Sequence, residues 1–269
     1  TLADDQQKIT RYPNENNKLS EAYYPGMMKG EIWGYETVGI AQSQEEMDAH
    51  LAKVDQSSLG SKWGAGDIMY KDVDGDGVIS TGENTTEKPG DRVMGNNTPR
   101  FKYGITLDAA WKGVDFRIFL QGVAKRDYVL SGPYFWGANG VDEWQATGFK
   151  EHWDFWRPEG DPLGANTNAY YPRVLKSDSR NMAVQSRYIQ NAAYCRIKNV
   201  QIGYTLPKQW TNKAGMSSVR VYVSGDNLLT FSHMSKIFDP EALESTYDAN
   251  NGKLYPLQRT ISVGLNVNF

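Results

Sequence analysis

The sequence predicts an all-β fold of long antiparallel strands, on three observations. The last eleven residues, "RTISVGLNVNF", alternate to the end, with Ile261, Val263, Leu265, Val267 and Phe269 on one face and Ser262, Gly264, Asn266 and Asn268 on the other. The segment "RFKYGITLDAAWKGVDFRIFLQGVAK" reads as a hairpin with unusually long arms. Only 39% of the 269 residues are apolar while Gly, Tyr and Trp are plentiful, a mixture that favours strands and turns over helices.

Residues 1–98 read as irregular apart from one short helix at "SQEEMDAHLAKV", where Ser43 and Glu46 have capping-box spacing and Met47, Leu51 and Val54 share a face. The start, "TLADDQQKITRYPNENNKLS", has neither an initiator Met nor the pattern of a signal peptide, and is expected to be a processed or clipped end. Residues 71–98 form a turn-rich connection. In the hairpin, Phe101, Tyr103, Ile105, Leu107, Ala109 and Trp111 share a face; after Lys112 and Gly113 the chain returns with Val114, Phe116, Ile118, Leu120 and Gly122. Ten steps of about 3.3 Å give roughly 33 Å of strand, which a tilt of about 40° projects to roughly 25 Å, the apolar band of an outer-membrane barrel. A soluble two-sheet protein with long arms shows the same alternation. Residues 127–190 form an aromatic-rich excursion, and three more strands are expected at "YCRIKNVQIGYTLP", "SVRVYVSGDNLLTF" and the terminal segment. About five long strands are too few to close a barrel across a membrane, so further strands are expected upstream.

A net charge of −3 and a pI near 5.7 give no basic excess for a phosphate backbone, so nucleic acid is not an expected partner. The single cysteine, Cys195, excludes an internal disulfide framework. No run of about 18 apolar residues marks a membrane helix, a test to which membrane strands are blind. Catalytic motifs are absent, His50, His152 and His233 stand without one, and sequence sets no separation for a carboxylate pair such as Glu151 and Asp154. An enzyme is not expected.

Two segments carry possible binding chemistry. "DVDGDGVISTGE" fits the twelve-residue calcium loop, with Asp72, Asp74 and Asp76 at positions 1, 3 and 5, the Val78 carbonyl at 7, Ser80 at 9 and Glu83 at 12. Its flanks are not paired helices, so a structural calcium in an isolated loop is expected, against a solvated acidic turn or a dockerin-like module, which needs two such loops. The rings of Tyr134, Phe135, Trp136, Trp144, Trp153, Phe155 and Trp156 either pack the excursion on itself, the favoured reading, or meet a ligand or partner, for which Trp136 and Trp144 are the candidates.

The ordered series "GEIWGYETVGI", "GDIMYKDVDGDGVIS", "GDRVMGNNTPRFKYGITLDAAWKGVDFRIFLQG", "NAAYCRIKNVQIGYTLP", "SVRVYVSGDNLLTF", "FDPE" and "YPLQRTISVGLNVNF" resembles the C-terminal part of SusC/RagA-like TonB-dependent outer-membrane transporters of Bacteroidetes, over nearly everything from residue 26 onward. The resemblance implies a 22-stranded transmembrane barrel with long extracellular loops, importing oligosaccharides or peptides with a SusD-like surface lipoprotein and powered by the TonB system. On that reading residues 1–98 are an extracellular-loop region, 99–269 are barrel strands interrupted by the loop at 127–190, and the chain is the last quarter or so of a transporter, not competent alone. Phe269 then resembles the C-terminal aromatic signal read by barrel-assembly machinery, and Cys195 replaces an expected Leu as a packing change. The alternative from composition and the acidic loop is a secreted, calcium-stabilised β-domain that binds glycans; a glycoside hydrolase would require a deep acidic cleft.

Overall fold

A computed structural model of the chain describes residues 1–140, 148–243, 255 and 257–269. In chain order the strands are β1 (Leu2–Ala3), β2 (Glu31–Tyr35), β3 (Thr37–Ile40), β4 (Ile68–Tyr70), β5 (Arg92–Asn96), β6 (Arg100–Trp111), β7 (Val114–Lys125), β8 (Asp127–Val129), β9 (Ile189–Asn191), β10 (Tyr194–Thr205), β11 (Ser218–Ser232) and β12 (Thr260–Asn268). Short helices are α1 (Gln44–Leu51), α2 (Pro133–Trp136) and α3 (Lys208–Thr211). The five long strands stand where alternation placed them. With β1 they form one antiparallel sheet in the order β1-β6-β7-β10-β11-β12, open at both edges among the described residues. Strand β1 was not expected, since two residues carry no period.

The β6–β7 turn has positive φ at both Lys112 (47°) and Gly113 (85°), the two-residue geometry whose twist matches that of the strands it joins. Register then aligns the faces. On one side run the rows Leu107, Ile118, Val200 and Trp111, Val114, Tyr204, Val221, Leu265. This face is bare: Ile261, Val263 and Leu265 are 70%, 76% and 62% exposed.

A bulge decides which side chains join it. Between Ile197 and Asn199 the register of β10 shifts against both neighbours: Lys198 is an extra residue against β7, while on β11 the two residues Asn227 and Leu228 stand opposite it. Unbroken alternation would put Tyr194 and Arg196 on the apolar face beside Val200 and Ile202. The bulge moves them to the polar face and brings Cys195 and Ile197 to the apolar one, where Cys195 lies between Gly122 and Phe231.

The buried core lies elsewhere. It gathers Tyr35, Ile40, Met47, Ile68, Tyr70, Ile79, Tyr128, Phe135, Trp136, Trp156, Tyr171, Tyr188, Met234 and Phe238, all from segments outside the long strands. Residues 1–98 and 127–190 are thus halves of one cap. Tyr35 bridges Gln185, Thr37 Oγ1 donates to Gln185 Oε1 at 2.8 Å, and the Tyr70 hydroxyl donates to the Arg180 carbonyl at 2.9 Å. Asp67, fully buried, accepts from Arg173 Nε (2.7 Å) and Nη2 (2.6 Å), from Asn181 Nδ2 (2.9 Å) and from the Gly64 amide (2.9 Å). Helix α1 is capped as expected, Ser43 Oγ accepting from the Glu46 amide at 3.1 Å, but the Glu46 carboxylate reaches Gln42 N at 2.6 Å instead of returning to Ser43.

Candidate functional site

The acidic loop leaves β4 and folds through aspartate-to-backbone bonds. Asp72 accepts from Gly75 N (2.7 Å) and Gly77 N (2.9 Å), and Asp76 accepts from Val78 N (2.7 Å). The carboxylates that converge are Asp72, Asp74 and Asp91, whose oxygens lie within 4.8 Å of one another. Asp91 was not among the expected ligands. It is fully buried and accepts from Val73 N (2.7 Å) and Ser80 N (2.8 Å). Burial pushes its carboxyl up, with the Asp74 and Asp72 charges adding to the effect.

Of the expected carboxylates, Asp72 and Asp74 are in this group and Asp76 and Glu83 are not. Ser80 Oγ accepts from Gly82 N at 3.0 Å. Glu83 is exposed and ion-paired with Lys88, which holds its carboxyl below the usual range. The reason is a neck. Gly82 and Gly90 pack so closely that a Cβ on Gly90 would stand 2.4 Å from the Ser80 carbonyl oxygen, and both have positive φ (55° and 65°). The segment between them is looped out, so Asp91 arrives beside Ser80, its amide donating to the Ser80 carbonyl at 3.1 Å. Counting along the chain gives Glu83. The sequence signal for the alternative was "PGD" leading into β5. Three carboxylates offering only oxygen suit a hard cation such as calcium.

The aromatic excursion packs on itself. Trp136, the candidate contact set against the favoured packing reading, is 4% exposed, with its ring 4.7 Å from Tyr188 and 5.1 Å from Phe135, so its surface is used in the core. Trp144 lies outside the described residues. Trp153 is the exposed ring, at 59%; it stands edge-on to Phe155 and under the Arg157 guanidinium. Phe269 follows β12 and is 91% exposed.

The polar face of the sheet carries cross-strand ion pairs. Asp108 meets Arg117 at 2.5 Å, and Arg220 Nε donates to Asp115 at 2.8 Å, its Nη2 bonding Asp115 again and Gln201 at 3.2 Å. Arg220 also covers the Tyr222 ring at 4.9 Å, and that ring lies over Gly264, where a Cβ would meet it at 2.1 Å. Near the cap, Arg196 is 2% exposed and joins Asp239 (2.6 Å), Glu241 (2.8 Å) and Thr230 (2.7 Å), and Lys198 meets Glu241 at 2.8 Å. These bonds tie the "FDPE" segment to the sheet.

A search of family models gave no match. Among curated proteins, TonB-dependent receptor P3 of Formosa agariphila is 30% identical over 258 residues, covering 89% of this chain. TonB-dependent receptor P26 of the same organism is 29% identical over 248 residues, covering 88%. The RagAB peptide importer in its open-open state superposes on the whole chain with a TM-score of 0.62 at 20% identity. The chain is similar to a segment of SusC/RagA-like TonB-dependent receptors. It spans 22% of the length of either Formosa receptor and 26% of the RagAB chain. The likeness to RagAB carries the fold alone: long strands under a folded cap.

Proposed function

We propose that this chain is a stretch of wall and overlying cap from a TonB-dependent outer-membrane transporter that imports oligosaccharides or peptides. The observation that carries the reading is the two-faced sheet. Five long strands at about 4.8 Å spacing, each spanning about 25 Å of apolar band, present roughly 600 Å² of apolar surface, at or above the largest patch of an ordinary soluble monomer. Its opposite face is a field of charged and polar pairs. Lipid on one side and an aqueous lumen on the other satisfy both faces, whereas a soluble sandwich needs a second sheet, and none stands there among the described residues. A secreted glycan-binding domain is accordingly the weaker reading.

In this proposal further strands close the wall into the 22-stranded barrel, β12 pairs onward with Phe269 serving assembly, a SusD-like lipoprotein meets the cap, and the TonB system supplies energy through parts of the receptor beyond this segment. The chain does no catalysis. Calcium at Asp72, Asp74 and Asp91 would fix the acidic loop within the cap.

The test is uptake. Cells lacking the gene should lose TonB-dependent uptake of one oligosaccharide or peptide class and regain it with the full-length gene. Unchanged uptake of every class would contradict the proposal.

A further inference from the structure

Beside the exposed Trp153, four segments of the cap surround a cavity of about 470 Å³. Lys150, Glu151 and Asp154 come from one short turn of helix; His233, Met234, Ser235 and Lys236 come from the turn that follows β11; Tyr170, Tyr171 and Gln190 lie between. The floor is fastened. Gln190 receives the Ser235 amide on Oε1 (3.1 Å) and donates through Nε2 to the Tyr170 hydroxyl (2.9 Å) and the Tyr188 carbonyl (2.9 Å). Tyr170 and Tyr171 stand ring to ring at 4.8 Å, and Met234 is buried. Gln190 thus ties the turn after β11 to the floor, and the Tyr171 amide, donating to the Asp154 carbonyl at 2.9 Å, ties the floor to the helical turn.

The net charge divides by wall. Glu151 and Asp154 are both on the helical-turn side, where Lys150 offsets one of the two carboxylates and Asn166 Nδ2 takes one oxygen of Asp154 at 2.8 Å; His233 and Lys236 are on the other. Elsewhere in the cap some basic side chains are spent on carboxylates, as Arg173 is on Asp67 and Arg180 on Asp178, and others on carbonyls, as Arg157 is on Gly164 and Arg187 on Ala169. Glu151, His233 and Lys236 have no ion pair among the described residues. Such an arrangement offers a ligand an acidic end, an aromatic and thioether middle, and a basic end. A neutral sugar can stack on the rings and hydrogen-bond these side chains through its hydroxyls but neutralises no charge, whereas a ligand with an ammonium and a carboxylate pairs with both ends. A cavity of this volume is about 10 Å across if treated as a sphere, the reach of about three extended residues.

We propose that this cavity binds short peptides with free termini, the ammonium end at Glu151 and Asp154 and the carboxylate end at His233 and Lys236, with the middle side chain against Tyr170, Tyr171 and Met234. The proposal rests on the import reading and narrows it to the peptide class at a named place. Because Gln190 and the Tyr171 amide fasten the walls to the floor before a ligand arrives, little ordering is needed on binding.

The test uses the full-length transporter purified in detergent and titrated calorimetrically with Ala-Phe-Ala, its N-acetyl form, its C-terminal amide, and maltotriose. Wild type should bind Ala-Phe-Ala at least about tenfold more tightly than either blocked peptide. The Glu151→Gln, Asp154→Asn double variant should lose about tenfold toward Ala-Phe-Ala and no longer distinguish it from the N-acetyl form. His233→Gln with Lys236→Gln should do the same for the C-terminal amide. Equal binding of free and blocked peptides by wild type, retention of both discriminations in the variants, or binding of maltotriose in preference to peptide would each overturn the assignment. Uptake assays separate this from failure of the import reading. TonB-dependent uptake that ignores both double variants overturns the peptide site alone, while loss of peptide discrimination in the purified variants of a protein that supports no TonB-dependent uptake upholds the site and overturns import.

Discussion

Asp91 and His50 show how single side chains carry the behaviour of the cap. If calcium joins Asp72, Asp74 and Asp91, a site with a Kd of about 10⁻⁴ M in about 1 mM calcium stabilises the loop by about 1.4 kcal/mol, or about tenfold in its opening equilibrium. Limited proteolysis should therefore cut residues 70–95 about tenfold more slowly with calcium than with chelator. Asp91→Asn should remove that difference and Glu83→Gln should leave it intact, the reverse of what the linear motif implies. His50 tests the other side of α1. Its Nε2 donates to Gln56 Oε1 at 3.1 Å, and Gln56, fully buried, also accepts from Tyr70 N (3.1 Å) and donates to the Ile68 carbonyl (3.0 Å). Burial lowers the imidazole pKa from its ordinary 6.5. A depressed folded-state pKa gives stability that is present above the ordinary value and lost as pH falls through the folded-state value. Hydrogen-exchange protection of residues 44–70, corrected for intrinsic rates, should fall between pH 7.5 and pH 5, and His50→Gln should flatten that dependence.

Among the elements, β10 matters most. The long strands were legible because each repeats a two-residue period over about seven residues or more, and a half-covered sheet needs that period. The bulge was not legible, since one extra residue leaves two well-patterned halves whose relative phase only the neighbouring strands reveal. Asp91 was hidden for a similar reason: the Gly82–Gly90 neck removes chain length that a spacing rule counts. The cap's unity escaped reading too, because its core is assembled from rings 100 residues apart, with no local period. Deleting Lys198 should remove the bulge against β7 and leave Tyr194 and Arg196 on the polar face, because the two halves of β10 then alternate in one phase. The amount of full-length protein reaching the outer membrane, measured by quantitative immunoblot, should then stay near normal, whereas Arg196→Leu, which removes the bonds to Asp239 and Glu241, should lower it several-fold. Lys198→Ala, which keeps the bulge, should leave it near normal.

At the scale of the whole molecule, stability is divided between a cap that buries its own core and a sheet that buries almost none. That division is why the hydropathy of the chain looks unremarkable: polar loops and a bare apolar face average out. The open sheet edges and the apolar face both require surroundings, one from further strands and the other from lipid. The most direct measurement places single cysteines in a full-length Cys195→Ser protein, at Val263 and Leu107 on the apolar face and at Ser224 and Thr106 on the polar face. In isolated outer membranes, Val263 and Leu107 should resist a charged maleimide and, once labelled with a small fluorophore, be quenched by nitroxide lipid. Ser224 and Thr106 should escape lipid quenching. Lipid quenching at Ser224 and Thr106, or none at Val263 and Leu107, would contradict the assignment of lipid to the apolar face.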